Sequence, residues 1–154
     1  MKLQKDIREF IELLLSQKVE FLLVGGYALA FHGAPRFTED IDFFVLTSPE
    51  NAARLAATIR KFGFDALGLN ENDFLEVDQV IQLGMAPNRI DLLTGISGVT
   101  WDEAWASRIP ANLDGLELWV IGKEALARNK QATGRPQDLA DVARLRQAPG
   151  KGRP

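Results

Sequence analysis

The sequence predicts an α/β or α+β fold with a short mixed sheet flanked by helices, and three observations support this. Short apolar runs typical of buried strands alternate along the chain with segments that have the 3.6-residue spacing of amphipathic helices. A length of 154 residues suits one domain, and a 46% hydrophobic content is that of an ordinary packed core. We therefore expect one domain over residues 1–148, followed by a flexible tail over residues 149–154.

In the first part of the chain, helices are predicted from apolar spacing and strands from short apolar runs. The run before Gly25-Gly26 is typical of a buried strand, and Ser48-Pro49 is a helix start with Ser at the N-cap. The predicted elements are a helix over 2–17, a strand over 19–24, a short helix over 27–32, a strand over 40–46 and a helix from 49 to about 62.

The second part of the chain is less regular. Residues 64–77 have no clear pattern, whereas Thr100 and Glu103 form a capping box at a helix start. The predicted elements are strands over 80–85 and 89–93 joined by a turn around Pro87-Asn88, a helix over 101–107, a strand over 116–121, and two helices over about 123–132 and 136–147.

Composition limits the chemistry. The chain has no Cys and one His, which excludes thiol catalysis, disulfides and thiolate metal sites. A metal site must therefore use oxygen ligands, which favours Mg²⁺, Mn²⁺ or Ca²⁺. The N-terminal residues carry acids, unlike a signal peptide, and no apolar run approaches the roughly 20 residues of a membrane span, so we expect a cytoplasmic protein with no membrane partner.

Charge is distributed unevenly along the chain. Residues 122–154 contain eight basic and three acidic residues, a net charge of +5, whereas the other residues contain ten basic and 18 acidic residues, a net charge of −8. This division is compatible with an anionic ligand held beside carboxylates, although on charge alone a solvated helix face is the commoner explanation.

Asp40 and Asp42 are two residues apart on a predicted strand, so their side chains leave the same face while Ile41 and Phe43 face the core. Two such charges at about 4 Å repel each other by about 4 kcal/mol at an effective dielectric of 20. A divalent cation would neutralise them, although an isolated Asp-x-Asp is more often simply solvated.

Two further features lie on neighbouring elements. Asp91 adds a third carboxylate on a short apolar strand, and three such acids can hold two hard cations that clamp a triphosphate. Gly25 and Gly26 follow a buried strand, where backbone amides can approach phosphate closely, although a glycine pair serves equally as a turn. No Rossmann or P-loop motif is present, which argues against a dinucleotide oxidoreductase and a P-loop NTPase.

The stretch from Phe21 to Val45 resembles the signature of the DNA-polymerase-β-like nucleotidyltransferase superfamily, in which a strand, Gly-Gly or Gly-Ser, and Asp-x-Asp follow one another. It is most similar to small bacterial nucleotidyltransferases of the AbiEii and toxin–antitoxin type, which have His-Gly and then Arg-x-Thr before Asp-Ile-Asp. Residues 129–142 resemble the Lys-x-x-x-Gly-Arg-x-x-Asp-x-x-Asp ending of those proteins, although Gln137 stands where Lys is common.

The resemblance implies a nucleotidyltransferase fold over residues 1–148 and a role for each matching residue. Asp40, Asp42 and Asp91 would be catalytic and would hold Mg²⁺ or Mn²⁺. The nucleotide-binding residues would be Gly25, Gly26, Arg36, Thr38 and Lys130. Arg36 and Lys130 have equally good structural interpretations.

Other residues near the motifs receive mainly structural interpretations. Arg135 and Asp138 are expected to brace the last two helices, Asp141 to be a helix-surface acid, and His32 to pack or cap rather than act as a base. The aromatic residues near the motif are expected to be mostly core, with base stacking as the alternative for Tyr27 and Phe37.

The implied activity is Mg²⁺-dependent transfer of a nucleoside monophosphate from an NTP such as ATP to an acceptor hydroxyl on RNA or tRNA, protein or a small molecule. The protein would then be one component of a toxin–antitoxin pair with a cognate partner. Two alternatives remain open: a catalytically silent nucleotide- or partner-binding protein, and an antibiotic nucleotidyltransferase. The sequence leaves the acceptor, the preferred NTP and the oligomeric state undecided.

Overall fold

The computed structural model describes residues 2–63, 68–84 and 89–148. The six α-helices of this part of the chain are α1 (Lys5–Ser16), α2 (Gly25–Phe31), α3 (Pro49–Lys61), α4 (Trp101–Ser107), α5 (Lys123–Thr133) and α6 (Pro136–Gln147). The strands are β1 (Phe21–Val24), β2 (Asp40–Val45), β3 (Val80–Leu83), β4 (Arg89–Leu93), β5 (Ile109–Leu113) and β6 (Leu116–Val120), and a 3₁₀ helix covers Glu71–Phe74.

The strands form one mixed sheet in the order β3-β4-β2-β1-β6-β5. Strand β2 is antiparallel to β1 and parallel to β4. The start of β2 and the start of β4 therefore lie beside the end of β1, where α2 begins. This edge of the sheet brings Gly25, Asp40 and Asp91 to one place, and the mixed α/β class expected from the sequence is confirmed.

A continuous core lies on both faces of the sheet. The central strands β1 and β2 are almost completely buried, and Phe43, Ile41 and Leu22 are each 0% exposed. Helix α1 contributes Phe10, whose ring meets that of Phe62 edge to face at 5.3 Å. The apolar sides of the helices thus cover the sheet, and polar side chains collect at its edges.

His32 packs inside this core, as the sequence predicts. It is 0% exposed, and its Nε2 lies 2.7 Å from the carbonyl oxygen of Ile121, so it joins the end of α2 to the end of β6. Burial lowers the pKa of His32, which favours the neutral ring in the fold.

Most predicted elements are present, with three differences. Helix α2 begins at Gly25 instead of Tyr27, so the glycine pair forms its first turn. Strand β5 was not predicted, yet it pairs with β6 as an antiparallel hairpin around Asp114-Gly115. The 3₁₀ helix occupies part of the unassigned stretch. The turn around Pro87-Asn88 and the tail over residues 149–154 lie outside the described residues.

Candidate active site

The three predicted acids meet at the edge of the sheet. Asp42 is the register partner of Asp91 across β2 and β4, and Asp40 precedes it on the same face of β2. One carboxylate oxygen from each of the three residues lies within 4.8 Å of the others. The strand pairing itself therefore creates this concentration of negative charge.

Gly25 allows the backbone to approach these acids closely. Its φ of +71° is in the left-handed region, and a Cβ at this position would lie 2.1 Å from Oδ2 of Asp42. Gly26 is next to Thr38, whose side-chain carbons would lie 3.0 Å from an added Cβ. The glycine pair thus forms one wall of the site directly against the Asp42 carboxylate.

Thr38 holds the side chain of Asp40 in place. Its hydroxyl donates a hydrogen bond to Oδ1 of Asp40 at 2.9 Å and approaches the Asp40 carbonyl oxygen at 3.1 Å. Because both acceptors belong to one residue, Thr38 orients the Asp40 side chain at the beginning of β2.

Arg89 joins two of the acids. Its Nη2 donates to Oδ2 of Asp40 at 2.6 Å, while its Nε donates to Oδ1 of Asp91 at 3.1 Å. We call Asp40, Asp42, Asp91 and Arg89 the strand cluster. One guanidinium faces three carboxyl groups there, so the cluster has an excess of acid.

The environment separates the pKa values of these acids. Burial, and then the negative charges of Asp40 and Asp91, raise the pKa of Asp42 to about 7. Burial also raises the pKa of Asp91, and interaction with Asp40 adds to the effect. Burial opposes ionisation of Asp40 as well, but hydrogen bonds led by that from Thr38 outweigh it and lower its pKa. A cation bound here would reduce the repulsion between the carboxylates, which is one cause of the raised pKa values of Asp42 and Asp91.

A second group of charges lies across the site, between α5, α6 and the loop before β2. The Nζ of Lys130 lies 3.1 Å from Oδ1 of Asp138 and 3.2 Å from Oδ2 of Asp141, and Arg36 Nε donates to both oxygens of Asp141 at 3.1 and 3.2 Å. We call Lys130, Asp138, Asp141 and Arg36 the helix cluster. Within the cluster two bases face two buried acids, and Arg135 and Arg144 at its rim add ion pairs to Asp138 and Asp141 at 2.8 and 3.9 Å.

The strand cluster, together with Arg36, Lys130 and Asp138 of the helix cluster, lines one open cavity of about 500 Å³. All eight residues that the sequence nominates for the site are among its walls: Gly25, Gly26, Arg36, Thr38, Asp40, Asp42, Asp91 and Lys130. The cavity is therefore acidic at the ends of the strands and carries Arg36 and Lys130 on another wall.

Comparison with known proteins supports the resemblance seen in the sequence. Residues 13–84 match the family model described as "Nucleotidyl transferase AbiEii toxin, Type IV TA system", a segment that contains the glycine pair and Asp-x-Asp. Over these residues the chain is similar to the AbiEii nucleotidyltransferases. The resemblance recognised from the sequence is confirmed, and the match supports assignment as a transferase.

Solved structures of other proteins are similar in fold to this chain over most of its length. A lincosamide antibiotic adenylyltransferase with lincomycin bound is 14% identical with a TM-score of 0.56, covering 94% of this chain and 97% of that one. A Thermotoga maritima protein described as "a putative nucleotidyltransferase" is 16% identical with a TM-score of 0.55, covering 92% of this chain and 88% of that one.

A third similar structure, an antigenic nucleotidyltransferase-like protein from Paracoccidioides brasiliensis, is 16% identical with a TM-score of 0.53, covering 95% of this chain and 78% of that one. At these identities the likeness shows the nucleotidyltransferase fold, which confirms the fold expected from the resemblance. No curated protein sequence matches the chain. Among the described residues, no helix is long and apolar enough to cross a membrane.

The acids of this nucleotidyltransferase fit a hard divalent cation. Their donors are all carboxylate oxygens, which Mg²⁺ and Mn²⁺ prefer, and the spacing within 4.8 Å allows one ion to contact all three residues. Asp40 and Asp42 face the open cavity, so an ion can enter with its remaining ligands supplied by water or phosphate.

Two expectations about individual side chains are wrong. Asp141 is not a helix-surface acid: it is 2% exposed and contacts both Lys130 and Arg36. Phe37 is not part of the core: it is 82% exposed, between the anchored residues Arg36 and Thr38. Asp138 does brace the two last helices, and it also accepts a hydrogen bond from Arg135 at 2.8 Å.

Sequence reasoning missed Arg89. It is two residues before Asp91 on the same strand, so the alternation of side chains places both on one face. That spacing was the available signal. The contact with Asp40, however, depends on the pairing of β2 with β4, which a single sequence does not reveal.

Proposed function

We propose that this protein transfers a nucleoside monophosphate from an NTP to an acceptor hydroxyl, with release of pyrophosphate. The proposal is supported above all by the three carboxylates gathered within 4.8 Å of one another at the floor of an open cavity, beside Gly25. The proposed catalytic unit is a single domain over residues 1–148, acting in the cytoplasm.

The chain's own residues would orient the two reactants. Asp40, Asp42 and Asp91 would hold Mg²⁺ or Mn²⁺, and the bound ion would neutralise charge on the triphosphate and on the attacking oxygen. The amides of Gly25 and Gly26 would lie against the triphosphate, with the Thr38 hydroxyl and the Arg36 guanidinium as further phosphate contacts. Asp91 would accept the proton of the acceptor hydroxyl.

Lys130 would act as a fixed positive charge in the wall of the site. The residue is 6% exposed and its ammonium is held by Asp138 and Asp141, so it is oriented before any nucleotide binds. A held cation contributes to electrostatic stabilisation without the cost of being ordered during the reaction.

The family description supports a toxin–antitoxin role, in which the acceptor is RNA, tRNA or protein and a cognate antitoxin controls the activity. A second candidate is transfer to a small-molecule hydroxyl. It is favoured by the likeness in fold to a lincosamide antibiotic adenylyltransferase that this chain matches over 97% of that protein's length. Both candidates use the same carboxylates and differ only in the acceptor.

A labelling experiment tests the proposal and separates the acceptors. The protein is incubated with Mg²⁺ and each α-³²P-labelled NTP, alone and with a tRNA pool, a cell lysate or lincomycin. We expect the label from one preferred NTP to appear on one acceptor class. Label on tRNA or protein supports the toxin role, whereas label on lincomycin supports the small-molecule role.

Asp42→Asn and Glu39→Gln form a matched pair of variants for this experiment. Each removes one acidic group from neighbouring positions, but Glu39 is exposed and is not among the three clustered carboxylates. Asp42→Asn should abolish labelling and Glu39→Gln should retain it. Mg²⁺-dependent NTP binding without transfer to any acceptor would contradict the proposal and indicate a catalytically silent binding protein.

A further inference from the structure

Arg89 occupies the carboxylate oxygens that a divalent cation would need. Its guanidinium contacts Oδ2 of Asp40 at 2.6 Å, and both Oδ1 and Oδ2 of Asp91 at 3.1 and 3.3 Å. These acceptors belong to two of the three residues that could hold the ion. A guanidinium and a divalent ion cannot both take the same inner positions on these oxygens, because their positive charges repel each other strongly at such separations.

The Arg89 side chain can leave these contacts. It is 36% exposed and lines the same cavity as the glycine pair, so it can turn from the acids towards the open part of the site without entering the core. A guanidinium binds phosphate oxygens with the same forked geometry as carboxylate oxygens. A nucleotide in the cavity therefore offers Arg89 a replacement anion.

We propose that Arg89 is an exchangeable cation that couples metal binding to nucleotide binding. It holds Asp40 and Asp91 together until a divalent ion arrives with a nucleotide, and it then moves from the carboxylates to a phosphate oxygen. A free ion must displace Arg89 without this compensation, so it binds weakly. This inference depends on the proposed function in one respect: the cavity must accept a nucleotide.

The test measures Mn²⁺ affinity by electron paramagnetic resonance, with and without the non-reacting analogue α,β-methylene-ATP. Wild type is compared with Arg89→Gln, and with Arg60→Gln as a control that removes a positive charge from an exposed position on α3. No catalytic turnover is needed. Circular dichroism at each Mn²⁺ concentration shows that the variants are folded.

We expect Arg89→Gln to bind Mn²⁺ alone at least about ten-fold more tightly than wild type, because the competing cation is gone. The analogue should strengthen Mn²⁺ binding to wild type by at least about ten-fold and should strengthen it much less in Arg89→Gln, since coupling between two ligands is a difference in binding free energy. Arg60→Gln should match wild type in both measurements.

Mn²⁺ binding to folded Arg89→Gln that is equal to or weaker than that of wild type would overturn the proposal, because Arg89 would then support the site instead of competing for it. If Arg89→Gln does not fold, Arg89→Lys replaces it in the test. Lysine keeps the positive charge but lacks the planar guanidinium that contacts Asp40 and Asp91 together, so Arg89→Lys should bind Mn²⁺ more tightly than wild type. Neither outcome affects the proposed transfer, which the labelling experiment decides. Failure of wild type to bind the α,β-methylene analogue of any common NTP would instead overturn the nucleotide site itself.

Discussion

The strand cluster and the helix cluster both contribute residues to the lining of one cavity, yet their charges are balanced differently. In the helix cluster, Lys130 and Arg36 face Asp138 and Asp141, and all four side chains have short contacts with an opposite charge. In the strand cluster, three acids face Arg89 alone among its members. The helix cluster therefore acts as a structural tie, that is, a set of ion pairs that joins α5, α6 and the loop before β2. The strand cluster has more acid than base, and this excess is available to bind a cation.

Neutralising an acid of the strand cluster should give the largest effect, and it should be on activity. We expect Asp40→Asn or Asp42→Asn to reduce transfer by at least about 100-fold, because a ligand of the proposed metal site is lost. In Asp42→Asn the free energy of unfolding should not fall, since the change also removes repulsion between carboxylates. Asp40→Asn also weakens the ion pair with Arg89, so some loss of stability is expected there. Radiolabel transfer and urea unfolding measure the two quantities, and undiminished turnover by either variant would refute the metal-site assignment.

The corresponding change in the helix cluster should act on stability. We expect Asp141→Asn to lower the free energy of unfolding by about 3–5 kcal/mol, because Lys130 and Arg36 lose a buried partner. Asp102→Asn, on an exposed position of α4, is the control and should change it by less than about 0.5 kcal/mol. An Asp141→Asn protein as stable as wild type would show that the helix cluster is not a structural tie.

Asp42 of the strand cluster and Asp138 of the helix cluster should respond to pH in opposite directions. The pKa of Asp42 is raised to about 7, so the folded state binds the proton more tightly than the unfolded chain, and stability is lost as pH rises from about 4 to 7. In chelator-containing buffer we expect Asp42 to account for a loss on the order of 2–4 kcal/mol over this range. Asp42→Asn should remove that loss, as measured by urea unfolding at several pH values.

The pKa of Asp138 is lowered: burial opposes ionisation, but hydrogen bonds led by those from Thr133 and Lys130 outweigh it. Its contribution is present above the ordinary pKa near 4 and is lost as pH falls further. Wild type should therefore also lose stability below about pH 4, and Asp42→Asn should show the same loss below pH 4. If the stability of Asp42→Asn depended on pH neither between about 4 and 7 nor below about 4, the two clusters would not titrate separately.

The smallest effect is expected at the rim of the helix cluster. Arg135 donates to Asp138 at 2.8 Å, but its side chain is 75% exposed. Arg135→Gln should therefore change the free energy of unfolding by less than about 1 kcal/mol, as is usual for an exposed ion pair. A larger loss in thermal or urea unfolding would extend the structural tie to the surface.

The elements and the acids could be predicted because their signals are local. Apolar spacing located α1 and α3, and the alternation of a strand placed Asp40 and Asp42 on one face. Strand β5 was missed because Pro110 and Asn112 disfavour a strand, and an edge position tolerates them only once β6 supplies the pairing.

Contacts between distant segments could not be read from one sequence. Asp141 looks like a surface acid on a helix whose pattern is strongly polar, and only the approach of Arg36 from 105 residues away shows that it is buried and paired. Phe37 shows the opposite error, because an aromatic residue is usually core, but here both neighbours are held by polar contacts and the ring is left outside.

The two adjacent glycines differ in the freedom that they leave to mutation. At Gly25 a side chain would require an unfavourable backbone angle and would collide with Asp42, the acid on which the site depends. At Gly26 an added carbon would press only on the side chain of Thr38, which could shift by a few tenths of an ångström. Position 25 therefore tolerates only glycine, whereas position 26 tolerates small residues. A substitution at position 26 can thus change the wall of the site without displacing Asp42.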